Sequence, residues 1–388
     1  MSKFTFRIGE RVMQMEDLGI SMNTQFLKMH ESFFHGCGLD IDLFRKEALR
    51  FFDTNINNYG LHDSFFQNFT IIWQSFMIQG RYRDGEYIWN MAADIANEWE
   101  SKHQNGRIHK GTPYYFWGGT CIASGDLERG FLLVHQALEE DRKTLEENKQ
   151  PPPNLDSRTP AYAFVTLDYE KQDQFFLPIV KEIVEILEHK LIEYRESNRG
   201  ALELSDLKLN FLENHDLREE VFYCIFNIFR LRNLLGNIDQ RLTQNAFSSL
   251  LHANVIFAFC LIIDNILKQN NPNQRKWKLR DHYIDLPILS VNFDPDKMDA
   301  LNNDFKRDFS TTLCNLLNSH YRFQVQPTLT SIEEDLAITY GFRNFGAHRM
   351  EVQPVIYNNF TEIATRVLYT LFYSIEKLYA GSQPISGA

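Results

Sequence analysis

"FLPIVKEIVEILEHKLIEYRES", Phe176 to Ser197, sets apolar side chains three and four residues apart and gathers Lys, Glu and Arg on the opposite side. That spacing lines one face of an α-helix, so the stretch predicts an amphipathic helix with one packed side. The same period recurs in "EEVFYCIFNIFRLRNLL", "AFSSLLHANVIFAFCLIIDNILK" and "YNNFTEIATRVLYTLFYSIEKLY". Together these segments predict an all-α fold class.

With 388 residues, 44% of them hydrophobic and 23% charged, the chain can bury a large core divided over two or three domains. No uninterrupted apolar run reaches the roughly 20 residues that span a bilayer. The opening "MSKFTFRIGERVMQMEDLGI" lacks the apolar centre of a secretion signal. The expectation is a cytoplasmic protein with no membrane partner. Cys37, Cys121, Cys224, Cys260 and Cys314 are scattered, odd in number and never paired as C-x-x-C, which argues against a disulfide or zinc framework. A formal net charge of -11 repels polyanions at long range, so contact with nucleic acid has to rest on a local basic cluster.

Turn chemistry divides the chain. "NKQPPPNLDSRTP", Asn148 to Pro160, carries three consecutive prolines that cannot continue a helix. It closes an N-terminal region, residues 1–155, ahead of a helical connector, 156–205, and a C-terminal bundle, 206–388. "KQNNPNQRKWKLRDHY" is a second break, followed by the β-prone "IDLPILSV" and "YRFQVQPTLT". Residues 270–330 are therefore expected to form an insertion between helices, with a small β-hairpin.

Two weak internal copies lie in the first part. One contains Trp73, Gly80, Tyr82, Gly85, Trp89 and Ala92; the other contains Tyr114, Gly118, Gly125, Leu127, Gly130 and Ala137. A glycine permits the chain reversal, and small residues after it let two antiparallel helices approach closely. The pattern resembles the tetratricopeptide repeat (TPR), although Gly80 and Gly125 are farther apart than its usual period. The expectation is TPR-like helical hairpins that pack helices, with a concave surface for a peptide or small ligand as the functional alternative.

"ITYGFRNFGAHRM", Ile338 to Met350, sits between two helical, apolar stretches and groups Arg343, Asn344 and His348 around Gly346. "RNFGAH" resembles the Arg-Asn-x-x-x-His signature of HEPN domains, small helical bundles that include many metal-independent ribonucleases. The resemblance covers roughly residues 206–378: two long helices near 217–236 and 246–269, the insertion, a helix ending in the motif, and a closing helix near 357–379. It implies a homodimer in which the motif faces its symmetry mate.

On an ideal helix Asn344 and His348 share a face, while Arg343 points about 140° away from His348. Uniting Arg343 with His348 calls for a kink at Gly346, a curled Arg stem, or a second subunit. RNA cleaved without metal uses its own 2′-hydroxyl as nucleophile, which calls for a proton carrier titrating near neutrality and a fixed cation beside the phosphoryl oxygens. His348 is assigned proton transfer, Arg343 phosphate stabilisation, and Asn344 orientation of the ring or the phosphate. Arg349, Lys306 and Arg307 are candidates for an anionic track. Arg275, Lys276, Lys278 and Arg280 around Trp277 are candidates too, or simply solvated loop charges.

The family often brings an acid from the second long helix near the motif, and Asp264 in "FCLIIDNILK" fits. It would pair with Arg343 if buried, or face solvent near a helix end. Met350 stands where some HEPN toxins carry a modified tyrosine, which puts that mode of control in doubt.

No cofactor or metal site is expected. His30, His35 and Cys37 lack a fourth ligand at metal spacing, and His135 with Glu139, Glu140 and Asp141 is most simply an acidic helix surface. The function implied is a HEPN-type endoribonuclease, a toxin or antiviral-defence effector, with the first half receiving a protein or small-molecule trigger. The alternatives are a non-catalytic HEPN/TPR-like scaffold or RNA-binding adaptor, and a small-molecule sensor.

Overall fold

A computed structural model describes residues 3–8, 11–16, 41–56, 58–67, 69–104, 106–147, 159–237, 246–273, 275, 278–323, 328–346 and 354–380. Among the described residues the regular structure is helical apart from one antiparallel hairpin, β1 (Lys3–Ile8) and β2 (Arg11–Glu16), in a register that pairs Lys3 with Glu16 and Ile8 with Arg11. Two compact units result: Met1–Phe164 with Asp168–Ile179, and Val165–Leu167 with Val180–Ala388.

The helices of unit 1 are α1 (Ile41–Thr54), α2 (Tyr59–Gln67), α3 (Thr70–Ile78), α4 (Tyr82–Lys102), α5 (Gly111–Ser124) and α6 (Leu127–Glu147). Its core is aromatic: Phe51, Phe52, Phe65, Phe69, Trp73, Trp89 and Trp99 are all buried. Trp73 turns its indole N–H to Thr120 Oγ1 at 2.8 Å, which satisfies the one polar atom of a ring that is otherwise enclosed. The turns between α3 and α4 and between α5 and α6 contain Gly80 at φ +68° and Gly125 at φ +94°, left-handed conformations that cost glycine little. Across the second hairpin a Cβ on Gly118 would stand 2.7 Å from the carbonyl oxygen of Gly130, so only glycine permits that approach.

α7 (Pro160–Val165) and α8 (Leu177–Glu196) follow, and then the helices of unit 2: α9 (Leu204–Leu207), α10 (Arg218–Asn237) and α11 (Ala246–Asn270). Next come α12 (Leu279–Asp285), α13 (Pro295–Arg307), α14 (Phe309–Leu317), α15 (Ser331–Gly341), α16 (Pro354–Asn358) and α17 (Phe360–Ile375). α11 is the central helix and packs against α10, α12 and α17. Its segment Leu250–Asn270 is long and apolar enough to cross a membrane, but 61% of that window is buried inside the protein, as befits a core helix. α15 is buried from Glu333 to Gly341, and Thr339 Oγ1 hydrogen-bonds Thr370 Oγ1 of α17 at 2.9 Å.

The insertion differs from expectation. Among the described residues 270–330 there is no strand; the segment forms α12, α13 and α14. Local capping explains it. Asp294, followed by Pro295, accepts the Lys297 N–H, Asp308 accepts the Thr311 N–H, and Thr330 forms a reciprocal box with Glu333. In "IDLPILSV" the β-branched residues lose to a 3-10 turn that starts at Pro287 and buries Leu289. Part of "YRFQVQPTLT", residues 324–327, lies outside the described residues.

Candidate functional site

After Gly341 the α-helix gives way to a π-turn, Phe342–Gly346, that carries Arg343 and Asn344. The turn is wider than an α-turn, so the ideal-helix projection of the motif does not hold there. Its inner side is packed by Phe345, whose ring stacks on Phe305 of α13 at 5.9 Å and 18°. A Cβ on Gly341 would strike the Phe305 ring at 2.1 Å, so a small residue is required where α13 crosses.

Arg343 reaches α11. Its Nε and Nη2 both lie 3.1 Å from Oδ2 of Asp264, and its Cζ sits 5.5 Å from the ring centroid of Phe257, which precedes Asp264 by about two turns of the same helix. Asp264 thus faces the motif rather than solvent, with 14% of its side chain exposed against 28% for Arg343. Burial pushes the Asp264 carboxyl above the usual carboxylate range, against the pull of the Arg343 charge. Held on its Nε/Nη2 edge, the guanidinium has further donors on Nη1 that meet no other partner among the described residues.

Tyr340, one turn before Asn344, donates its hydroxyl to Asn302 Oδ1 at 3.2 Å. His348 and Arg349 lie outside the described residues, as do Met350, Lys276 and Trp277. Lys306 is exposed at the end of α13, and Arg307 beside it pairs with Asp304 at 2.7 Å. Arg275 and Lys278 are exposed, while Arg280 is half-buried and ion-paired to Asp299.

The structure adds a residue that no spacing in the sequence connects to the motif. His282 of α12 is fully buried and points Nε2 at Oδ1 of Asp264 across 3.8 Å. Burial lowers its pKa, and the Asp264 charge opposes that shift. Asn271 contacts its other ring nitrogen, Nδ1, at 2.9 Å.

A second polar group in unit 2 surrounds Asp335, which is fully buried between Arg199, 2.5 Å away, and Arg366; Arg366 also reaches Glu334 at 3.1 Å. Arg199 and Arg366 line a cleft of about 800 Å³ together with His252, Tyr357, Asn359 and Tyr369.

Unit 1 carries its own buried network, which corrects the reading of the α6 acids as a surface. Glu140 is buried and accepts from Arg107 Nη1 at 2.8 Å, and Asp141 lies 3.3 Å from His109 Nε2. The Asp63 carboxylate faces the same nitrogen at 3.5 Å. The His109 backbone N–H donates to His62 Nδ1 at 3.2 Å, and His62 Nε2 meets the carbonyl of Asn55 at 2.9 Å, which fixes His62 as a neutral ring. Among the described residues no cluster of His, Cys, Asp and Glu could hold a metal ion. Cys121, Cys224 and Cys260 are buried free thiols and Cys314 is a half-buried one; Cys37, His30 and His35 lie outside the described residues.

Compared with protein-family models, curated proteins and solved structures, the chain matches none.

Proposed function

We propose that the chain is a metal-independent endoribonuclease of HEPN type, a toxin or antiviral-defence effector acting in the cytoplasm as a homodimer, with unit 1 receiving a protein or small-molecule trigger. The observation that carries this reading is Arg343, held on one edge by Asp264, with donors on Nη1 that meet no partner among the described residues. A guanidinium fixed in this way can hold a phosphodiester in one orientation and stabilise charge building on its non-bridging oxygens. His348, five residues on, takes the proton of the ribose 2′-hydroxyl as its oxygen attacks phosphorus. The P–O5′ bond breaks, and the leaving oxygen receives a proton from the second imidazole of the dimer. The products are a 2′,3′-cyclic phosphate and a 5′-hydroxyl, and DNA, lacking the nucleophile, resists.

The test is cleavage of single-stranded RNA by the purified full chain in EDTA. The expected result is cyclic-phosphate products that fall by at least about 100-fold in His348→Ala and Arg343→Ala. Activity that disappears on chelation, or that persists in both variants, overturns the reading. Growth arrest on overexpression, relieved by Arg343→Ala, reports the same activity where a cellular trigger is required.

Of the second reading, a non-catalytic scaffold or RNA-binding adaptor, one observation favours the scaffold. Arg307 and Arg280, next to the motif or within the insertion, are each tied to an acid, which weakens a polyanion track. RNA binding without cleavage would select the adaptor, and neither binding nor cleavage the scaffold.

A further inference from the structure

We propose that His282 is a positioning residue for Arg343: its Nε2–H, fixed by Asn271, holds the free oxygen of Asp264 and so sets the carboxylate on which the guanidinium rests. The catalytic consequence depends on the ribonuclease reading; the chain of contacts does not.

The contacts determine where the protons are. Asn271 Oδ1 accepts the backbone N–H of Asn273 at 2.8 Å, so its Nδ2 is the atom turned to His282 Nδ1 at 2.9 Å. An amide nitrogen only donates. Nδ1 must therefore accept, and the ring proton resides on Nε2. Nε2 faces Asp264 Oδ1 at 3.8 Å, and both atoms are buried without another hydrogen-bond partner among the described residues.

That gap is too short for an intervening water and too long for a hydrogen bond; closing it by about 1 Å pairs the orphaned donor with the orphaned acceptor. The carboxylate is then divided, with Oδ2 serving Arg343 and Oδ1 serving His282. Asp264 and Lys268 from α11, and Asp281 and Asp285 from α12, are the charges that bear on the ring. A second proton would have to enter at Nδ1, against the Asn271 N–H, so His282 remains a neutral donor. When a phosphate engages Arg343, Asp264 keeps its orientation because its other oxygen is still held. The insertion thereby gains a role, since α12 carries the ring that fixes the motif's anchor.

The test uses the full chain. Nitrogen-15 NMR of the wild-type protein is expected to show His282 as the Nε2–H tautomer. His282→Phe keeps a ring without a donor, and His282→Gln restores an N–H near the Nε2 position. The Arg343 Nε–H signal, assigned by its loss in Arg343→Lys, is expected to shift or exchange faster in His282→Phe and to return towards wild type in His282→Gln. In the RNA assay His282→Phe is expected to lower kcat by about 10- to 100-fold with KM little changed, and to add nothing once Asp264→Asn is present.

An Nδ1–H tautomer, or an Arg343 signal unmoved by His282→Phe, overturns the proposal whatever the RNA assay gives. If His282→Phe does not fold, the wild-type tautomer decides alone. Wild-type protein that cleaves no RNA and causes no growth arrest on overexpression, yet shows the expected signals, removes the ribonuclease reading and upholds the positioning.

Discussion

Arg343 places Nε and Nη2 on the same oxygen of Asp264, each at 3.1 Å, and leaves the other oxygen to the neighbourhood of His282. A two-donor grip on one lone-pair oxygen fixes direction better than a single contact. Asp264→Ala should remove that direction and leave a half-buried guanidinium without its counter-charge. We expect a loss of about 1–3 kcal/mol in urea unfolding. RNA cleavage should fall further than this loss of folded protein explains. Equal losses in cleavage and in folded fraction would reduce the pair to a packing role.

His62 and His109 should give unit 1 a stability maximum near the ordinary imidazole pKa. Burial lowers His62 to about 4, so in acid the unfolded chain takes up its proton first and stability falls as pH drops from about 6.5 towards 4. For His109 burial opposes protonation, but Asp141 and Asp63 outweigh it and raise its pKa. Its contribution is complete below the unfolded pKa and disappears as pH rises through the folded one. Four of the five tryptophans, Trp73, Trp89, Trp99 and Trp117, lie in unit 1, so with Trp277 of the other unit replaced by Phe, tryptophan fluorescence reports its melting. His62→Gln should flatten the acid limb and leave the alkaline limb in place; an unchanged acid limb would contradict the assignment.

Asp335 should be the costliest carboxylate to remove in unit 2. It has no exposure and is flanked by Arg199 and Arg366, so Asp335→Ala strands the Arg199 guanidinium and leaves Arg366 to Glu334. Loss of one partner from a buried ionic group typically costs about 3–5 kcal/mol. Asp335→Ala with Arg199→Met should recover part of that loss, because the stranded charge goes with it. A double variant no more stable than Asp335→Ala would mean that the Arg366 contact determines the cost.

Gly118→Ala should destabilise the α5–α6 hairpin by about 1–3 kcal/mol, because the added methyl meets the Gly130 carbonyl at 2.7 Å and backbone cannot swing aside as a side chain can. This glycine was legible in the sequence, since a small residue before the turn glycine Gly125 implies close helices. The long helices were equally plain: expected near 217–236 and 246–269, they span Arg218–Asn237 and Ala246–Asn270. The N-terminal hairpin was available too, in the alternation of "KFTFRI" and "RVMQME" around Gly-Glu. His282 was not. It lies in a segment without periodicity, and only the return of α12 onto α11 brings it to Asp264. The insertion misled because β-branched residues suggest strands, whereas Asp294 and Asp308 cap helices that tertiary packing then completes.

Lys306 and Arg307, adjacent on the last turn of α13, should differ in what they give to RNA. The Phe305–Phe345 stack sets this turn against the motif. Arg307 is tied to Asp304, whose second oxygen accepts the Tyr321 hydroxyl at 2.9 Å, so the Arg307 charge is already answered. Lys306 is exposed and has no acidic partner among the described residues. If the track runs here, Lys306→Ala should lower the salt slope of single-stranded RNA binding by about 0.7, the value for neutralising one phosphate fewer, and Arg307→Ala by less. The measurement is log Kd against log salt concentration in the catalytically silent His348→Ala background. Equal slopes in all three proteins would move the polyanion away from α13, and a larger effect of Arg307→Ala would mean that RNA displaces Asp304 from its partner.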